Sequence, residues 1–262
     1  RDNKVGSRKG QKKMMENNFS FWYPKIEGKC SALRVPESLI FKVPEYLWKY
    51  FYLDDPEESK KEINAWLQEE VIPVIKEKIK TPFFFVKNGT FSNKFSNSCF
   101  SYDTTLLNNL MDINYAAVIL GAGGISELVI REYIQSDDSR TAKIYGGLPL
   151  RSEIRIFYDF DERKVLYSEN YWNPDYVEKS LYSKTDRIIF AHEKDYICSE
   201  YLRYKDDVEA AVAKDMAEVS LTGRWSIDIM YDEIQECFWL IDMAKAEDSA
   251  YWDPGKVNYP RP

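Results

Sequence analysis

The sequence predicts an α+β protein with two antiparallel sheets and helices packed outside them, and three observations predict it. Two stretches read as strand–turn–strand hairpins, "SEIRIFYDFDERKVLYSENYW" turning at Asp161-Glu162 and "RWSIDIMYDEIQECFWLIDMAKAED" turning near Gln235. Helical and extended patterns are mixed without the strict alternation of a doubly wound parallel sheet. The chain has 262 residues, 44% apolar and 30% charged, enough for one large domain or two closely joined lobes.

In chain order, residues 1–18 carry six Lys or Arg, two acids and few large apolar side chains, the composition of a frayed tail. Ordered structure is expected from Phe19, and residues 19–134 and 135–262 read as two successive parts of one unit. Ile63, Trp66, Leu67, Val71, Ile72 and Ile75 recur at helical spacing between Glu57 and Lys80, with Pro73 expected to kink or break that helix. "PFFFVK" is a short apolar strand ending at Lys87 before the Asn88-Gly89 turn signal. "YDTTLLNNLMD" reads as a helix with Asp103 or Thr104 near its N-cap. "YAAVIL" and "ELVIREYI" read as strands separated by Gly121, Gly123 and Gly124, and Asp206–Val219 as a helix.

A net charge of −7 argues against wrapping a nucleic-acid backbone. Four dispersed cysteines, no long apolar run and no signal-peptide pattern point to a cytoplasmic protein away from membranes. The single histidine, His192, excludes multi-histidine metal sites and reads as a surface or packing residue.

Asp228 and Asp242 stand where a sheet would bury aliphatic side chains. A turn near Gln235 makes them direct cross-strand partners, flanked on the same face by Met230 and Leu240. Opposed like charges with Cβ atoms about 5 Å apart repel, and apolar surroundings add a desolvation cost. A shared proton, a basic side chain or a bound cation would relieve the conflict. Two carboxylates, completed by waters and phosphate oxygens, suit Mg²⁺. The plain alternative is that both acids sit hydrated at a solvent edge. "NGTFSNKFSNS" offers Thr90, Ser92 and backbone amides to phosphates, but it does not match GxxxxGK[ST]. Arg155 shares a strand face with Glu153 and suits either a terminal phosphate or a cross-strand salt bridge.

Taken together and in order, "PFFFVKNGTFSNKF", "ELVIREYI", "SEIRIFYDFDERKV" and "WSIDIMYDEIQECFWLIDMAKA" resemble the ATP-grasp superfamily, in the branch also similar to the eukaryotic cell-division-cycle 123 assembly factors. The resemblance covers roughly Phe83 to Trp252. It implies an ATP-grasp-like α+β fold of two lobes with antiparallel sheets and a nucleotide held between them. It further implies that Lys87 reaches the α- and β-phosphates under a flap from Asn88 to Ser98. Glu132, Tyr133 and Ile134 would read the adenine edge beside Arg131, Arg155 would contact the γ-phosphate, and Asp228 and Asp242 would bind Mg²⁺. The family's last strand reads acid-x-Asn, and here it reads Asp242-Met243-Ala244; either Lys245, Glu247 or Asp248 compensates, or metal binding is weaker.

These readings imply an ADP-forming carboxylate–amine ligase acting through an acyl phosphate on unknown carboxylate and amine substrates. The alternative is an ATP-binding assembly chaperone for a protein client, with the aromatics of "FSFWYP" or "SENYWNPDY" as contact surfaces. A nucleotidyltransferase of the RNA/DNA ligase type is a third reading, from the near match of Lys87-Asn88-Gly89 to K-x-D-G. The bland reading is a domain without nucleotide whose acids are solvated.

Overall fold

The computed structural model describes residues 16–52, 56–123, 125–135 and 140–257. Residues 1–15 of the expected tail and Gly124 of the glycine separator lie outside the described residues. The chain forms two compact units, one of 1–20 with 36–134, the other of 21–35 with 135–262. Residues 21–35, placed by chain order with the first part, thus cluster with the second.

The first unit is built on a four-stranded antiparallel sheet in the order β1 (Ser38–Lys42), β4 (Glu127–Glu132), β2 (Phe84–Asn88), β3 (Phe100–Ser101). Alternation sets its two faces. Phe84 and Val86 of β2, with Leu128 and Ile130 of β4, enter a core with Ile63, Trp66, Val71, Leu110 and Ile113. Each such side chain contributes about 2 kcal/mol on burial. Phe85, Lys87, Val129 and Arg131 therefore take the other face.

Two helical runs cover the core face. The first is α2 (Pro56–Trp66), which widens into a π-turn at Leu67–Val71 and resumes as α3 (Ile72–Lys78) with Pro73 in its first turn. The proline ring would collide with the carbonyl four residues back, and the wider turn just before it absorbs that conflict. The second is α4 (Leu106–Ile119), which corrects one expectation. Its N-cap is Thr105, directly after Thr104, and the Thr105 hydroxyl accepts the Tyr102 N–H at 2.9 Å. The helix continues through "YAAVI", read above as a strand. Leu106, Leu110, Ile113 and Ala117 are buried at helical spacing, while Tyr115 and Ile119 face solvent. The short apolar run could not by itself distinguish the two periods.

In the second unit a four-stranded antiparallel sheet runs β8 (Cys237–Lys245), β7 (Arg224–Asp232), β5 (Glu153–Asp159), β6 (Lys164–Asn170). Both expected hairpins are present. Helix α5 (Lys184–Met216) is much longer than the Asp206–Val219 segment expected, starting at a Ser183 cap that accepts the Asp186 N–H. Charged residues on its outer side obscure the periodicity of its first half. It lies over the face bearing Ile156, since Tyr201 and Glu209 bond Ser168, the register partner of Ile156. His192 is exposed on this helix and bonds Glu193.

Residues 21–35 are pinned to the second unit by two devices. The Asp215 carboxylate accepts three consecutive backbone N–H groups, from Ser31, Ala32 and Leu33, at 2.7–3.1 Å. Phe21 stacks on Trp225 at 6.3 Å. In "FSFWYP", Phe19, Trp22 and Tyr23 are buried, as is Trp172 of "SENYWNPDY". Those aromatics are core, which corrects the expectation of a contact surface for them, while Tyr176 of the second stretch is exposed. No helix among the described residues is long and apolar enough to cross a membrane.

Candidate functional site

A row of four charged side chains crosses one face of the second sheet. The register places Glu169 opposite Arg155, Arg155 opposite Asp228, and Asp228 opposite Asp242. Strand partners in an antiparallel pair share a face, so the expected meeting of Asp228 and Asp242 is realised. It is reached by a different register. Met230 pairs with Trp239 and Leu240 with Ile229, and a bulge between Leu240 and Asp242 then shifts the ladder by one residue. Met230 and Leu240 are therefore not the flanking pair; they lie on opposite faces.

The carboxylate conflict is relieved by a basic side chain. Arg155 donates from Nε to Asp228 Oδ1 at 2.7 Å and from Nη2 to Oδ2 at 2.8 Å, a bidentate fork. Its Nη1 donates to the Ala250 carbonyl at 3.2 Å, and its guanidinium lies 4.9 Å from the Tyr171 ring. Arg155 and Asp228 side chains are only 12% and 10% exposed, so the pair is held in low-dielectric surroundings. Burial alone would pull the arginine's pKa down, but Asp228, with Tyr171 and Asp242 behind it, drives it upward. The row's other end is tied by Lys256, which pairs with Glu169. Of the two roles expected for Arg155, the cross-strand salt bridge is the one formed here.

Asp242 is half-buried, and its Oδ1 accepts the Met243 N–H at 3.0 Å. Two carboxylates on facing strands form an all-oxygen donor set of the kind hard divalent cations take, and each Asp228 oxygen keeps a second lone pair beside its Arg155 bond. Among the described residues no group of three or more His, Cys, Asp or Glu is arranged to hold a metal ion. Water or phosphate would have to complete the shell. Ala244 shares the face of Asp242 through its partner Ser226 and supplies only a methyl group. Lys245 does not compensate: it pairs with Trp225, lies over that ring at 4.5 Å and donates to the Thr222 carbonyl. Glu247 and Asp248 are exposed in the following 3₁₀ turn.

The remaining expected site residues belong to the first unit. Lys87 is 2% exposed, with Nζ 5.5 Å from the Phe19 ring. Arg131, also buried, covers Phe85 at 4.4 Å on the same sheet face. Gly89 follows at the strand end, where a Cβ would come within 2.5 Å of Glu127 Oε1. That carboxylate holds the Ser20 N–H, and the Gly89 carbonyl holds the Phe19 N–H. The loop is organised by Asn88, whose Oδ1 accepts the Thr90 and Phe91 N–H groups, while the Thr90 hydroxyl donates to the Ala122 carbonyl at 2.7 Å. Thr90 thus serves the loop's own structure; Ser92 is half-buried beside it. Glu132 accepts the Glu37 N–H, Tyr133 packs edge-on to Phe83 and Phe100, and Ile134 is buried.

Sequence reasoning missed Glu169, Tyr171 and Ala250 around Arg155, and Glu127 behind Gly89. Glu169 could have been found from the first hairpin's register. Ala250 acts through its backbone, which leaves no trace in residue type. The second unit also contains a cavity of about 330 Å³ bounded by Arg140, Arg151, Glu193, Tyr196, Glu200 and Tyr231, and no expected site residue lines it.

No family model and no curated protein matches the chain. Solved structures do. The C-terminally truncated Cdc123 from Schizosaccharomyces pombe matches with a TM-score of 0.57 at 14% identity, over 96% of this chain and 95% of that one. A second Cdc123 structure from Schizosaccharomyces pombe gives 0.55 at 14% identity, over 92% and 87%. A looser match, with a TM-score of 0.41 at 11% identity, is D-alanine–D-alanine ligase from Bacillus anthracis, over 87% of this chain and 56% of that one. In fold the chain is similar to Cdc123 along almost its whole length, an α+β architecture with antiparallel sheets.

Proposed function

We propose that the protein binds ATP with Mg²⁺ and uses it as an ADP-forming carboxylate–amine ligase. The supporting observation is the row in which Arg155, Asp228 and Asp242 stand on three adjacent strands of one sheet face. An arginine beside two carboxylates is the group set that a metal-bound triphosphate needs. Asp242, with the remaining lone pairs of Asp228, would hold the ion. Mg²⁺ so held would offset charge on the β- and γ-phosphates. Arg155 keeps N–H groups beyond its three bonds, and these would meet the γ-phosphoryl oxygens as their charge shifts. The sheet fixes the guanidinium in place, so its donors need no reorganisation when the phosphoryl group passes to a carboxylate oxygen. The acyl phosphate formed would then be attacked by an amine, the C–N bond replacing the C–O bond as inorganic phosphate leaves and the nitrogen loses a proton to water. Lys87, fixed on β2, would bear the α- and β-phosphates, with Glu132, Tyr133 and Ile134 offering backbone groups to adenine. The protein's share is positioning and electrostatics.

Calorimetric titration with ATP tests the binding. Mg²⁺ is expected to tighten it in the parent protein and to matter much less in Asp242→Asn, and Lys87→Ala is expected to weaken it by about tenfold or more. ADP release that depends on an added carboxylate acceptor tests the ligase step. A second reading, ATP binding without turnover in the service of a protein client, is favoured by Ala244 at the position where the family's asparagine would ligate the ion. Tight ATP binding with no ADP formed, together with recovery of a stoichiometric partner, would select it.

A further inference from the structure

The segment following β8 is attached along the face that carries Arg155. Trp252 packs on Phe157 at 5.3 Å and stacks on Tyr167 at 6.1 Å. The Tyr167 hydroxyl donates to the Tyr251 carbonyl at 3.1 Å and accepts the Asp253 N–H at 2.7 Å. The Tyr251 hydroxyl donates to the Tyr171 carbonyl at 2.9 Å, and the Tyr171 ring flanks the Arg155 guanidinium. Between these anchors the Ala250 carbonyl receives Arg155 Nη1.

The backbone at Tyr251 has φ +69°. A residue with a bulky side chain enters this left-handed region at a cost of about 1 kcal/mol or more. It persists only where the surroundings over-determine it, and here five side chains do. The angle orients the peptide joining Ala250 to Tyr251, the peptide whose oxygen faces the arginine.

We propose that residues 246–257 form a strap that positions Arg155 for the terminal phosphate, with Tyr251 as the positioning residue. The inference rests on the ATP reading above. Asp228 fixes one edge of the guanidinium, Ala250 fixes Nη1, and Tyr171 flanks its plane, so the remaining N–H groups are held in set directions. Tyr251 acts on both of the last two contacts, through its backbone on Ala250 and through its hydroxyl on the backbone of Tyr171. The strap therefore governs recognition of the γ-phosphate and leaves the rest of the nucleotide alone.

The test is titration of the full chain with ATP and with ADP, each with Mg²⁺, for the parent, Tyr251→Phe and Trp252→Ala. Thermal unfolding selects the variants that fold, and Tyr251→Phe, which removes only a hydroxyl, keeps the test available should Trp252→Ala fail. Expected is a loss of about tenfold in ATP affinity in the variants with ADP affinity held within about twofold. A merely structural strap would lower both affinities together or neither, and either result overturns the proposal. A parent that binds neither nucleotide, or both equally, refutes the underlying reading of Arg155 itself, an outcome visible before any variant is made.

Discussion

The two units set their charged side chains in different surroundings. In the first unit Lys87 and Arg131 stand over aromatic rings, Phe19 and Phe85. In the second, the largely buried Arg155 is clasped by Asp228 and the more exposed Arg224 and Lys256 pair with Asp159 and Glu169, while Lys245 stands over a ring, that of Trp225. A ring stabilises a cation without cancelling its charge, whereas a bidentate carboxylate neutralises it and fixes its orientation. The fork on Asp228 leaves Arg155 able to act only through donors that Asp228 and Ala250 do not use.

The largest effect expected from this contrast is on stability in the second sheet. Arg155→Met should cost about 3–5 kcal/mol in denaturant unfolding, because it strands Asp228 in a largely buried position. Adding Asp228→Leu should recover most of that loss. A single-variant cost under about 1 kcal/mol would show that the pair is effectively solvated and would erase the distinction between the sheets.

Next in size, Gly89→Ala should lose about 2 kcal/mol. Its Cβ would fall 2.5 Å from Glu127 Oε1 and 2.9 Å from Asn18 Oδ1, forcing off the carboxylate that holds Ser20. A neutral result would mean that Glu127 swings aside freely and that the strand end carrying Lys87 is less fixed than the second sheet's row.

The smallest effect concerns Asp159, which ends β5. Burial would push its carboxyl up, but the Glu162 and Asp161 amides and the Arg224 guanidinium outweigh burial and hold it below the ordinary 3.8. A depressed folded-state pKa gives stability that is full above the unfolded value and lost as pH falls through the folded one. Asp159→Asn should therefore be less stable than the parent by about 1–2 kcal/mol at neutral pH, with the gap closing below pH 3.8. A gap independent of pH would assign the effect to packing.

Much of the second sheet was legible because its information is local. Alternation and turn residues gave both hairpins, and acids in apolar strands drew attention to Asp228 and Asp242. The pairing itself was inferred from a symmetric turn, whereas the strand reaches it through a bulge that no residue type announces. The arginine on Asp228 was foreseen only as a generic salt bridge, since which strand lies beside which is a long-range fact. The aromatics of residues 19–23 were misjudged for the same reason: an apolar cluster near a chain terminus reads as surface until its packing partner is known, and Trp225 is about two hundred residues away. Ala250 and Tyr251 were invisible because they work through carbonyl oxygens and a torsion angle.

One surplus residue between Leu240 and Asp242 has a consequence for how such a chain can vary. Running the ladder on from Leu240 and Ile229 with no bulge would set Ile241 across from Asp228 and turn Asp242 toward the helix-covered side. Dropping Ile241 would instead give an even ladder that leaves Asp242 opposite Asp228, so the acid's place survives a change of strand length. Kinship among such chains is better judged by matching the acids than by counting residues from the turn.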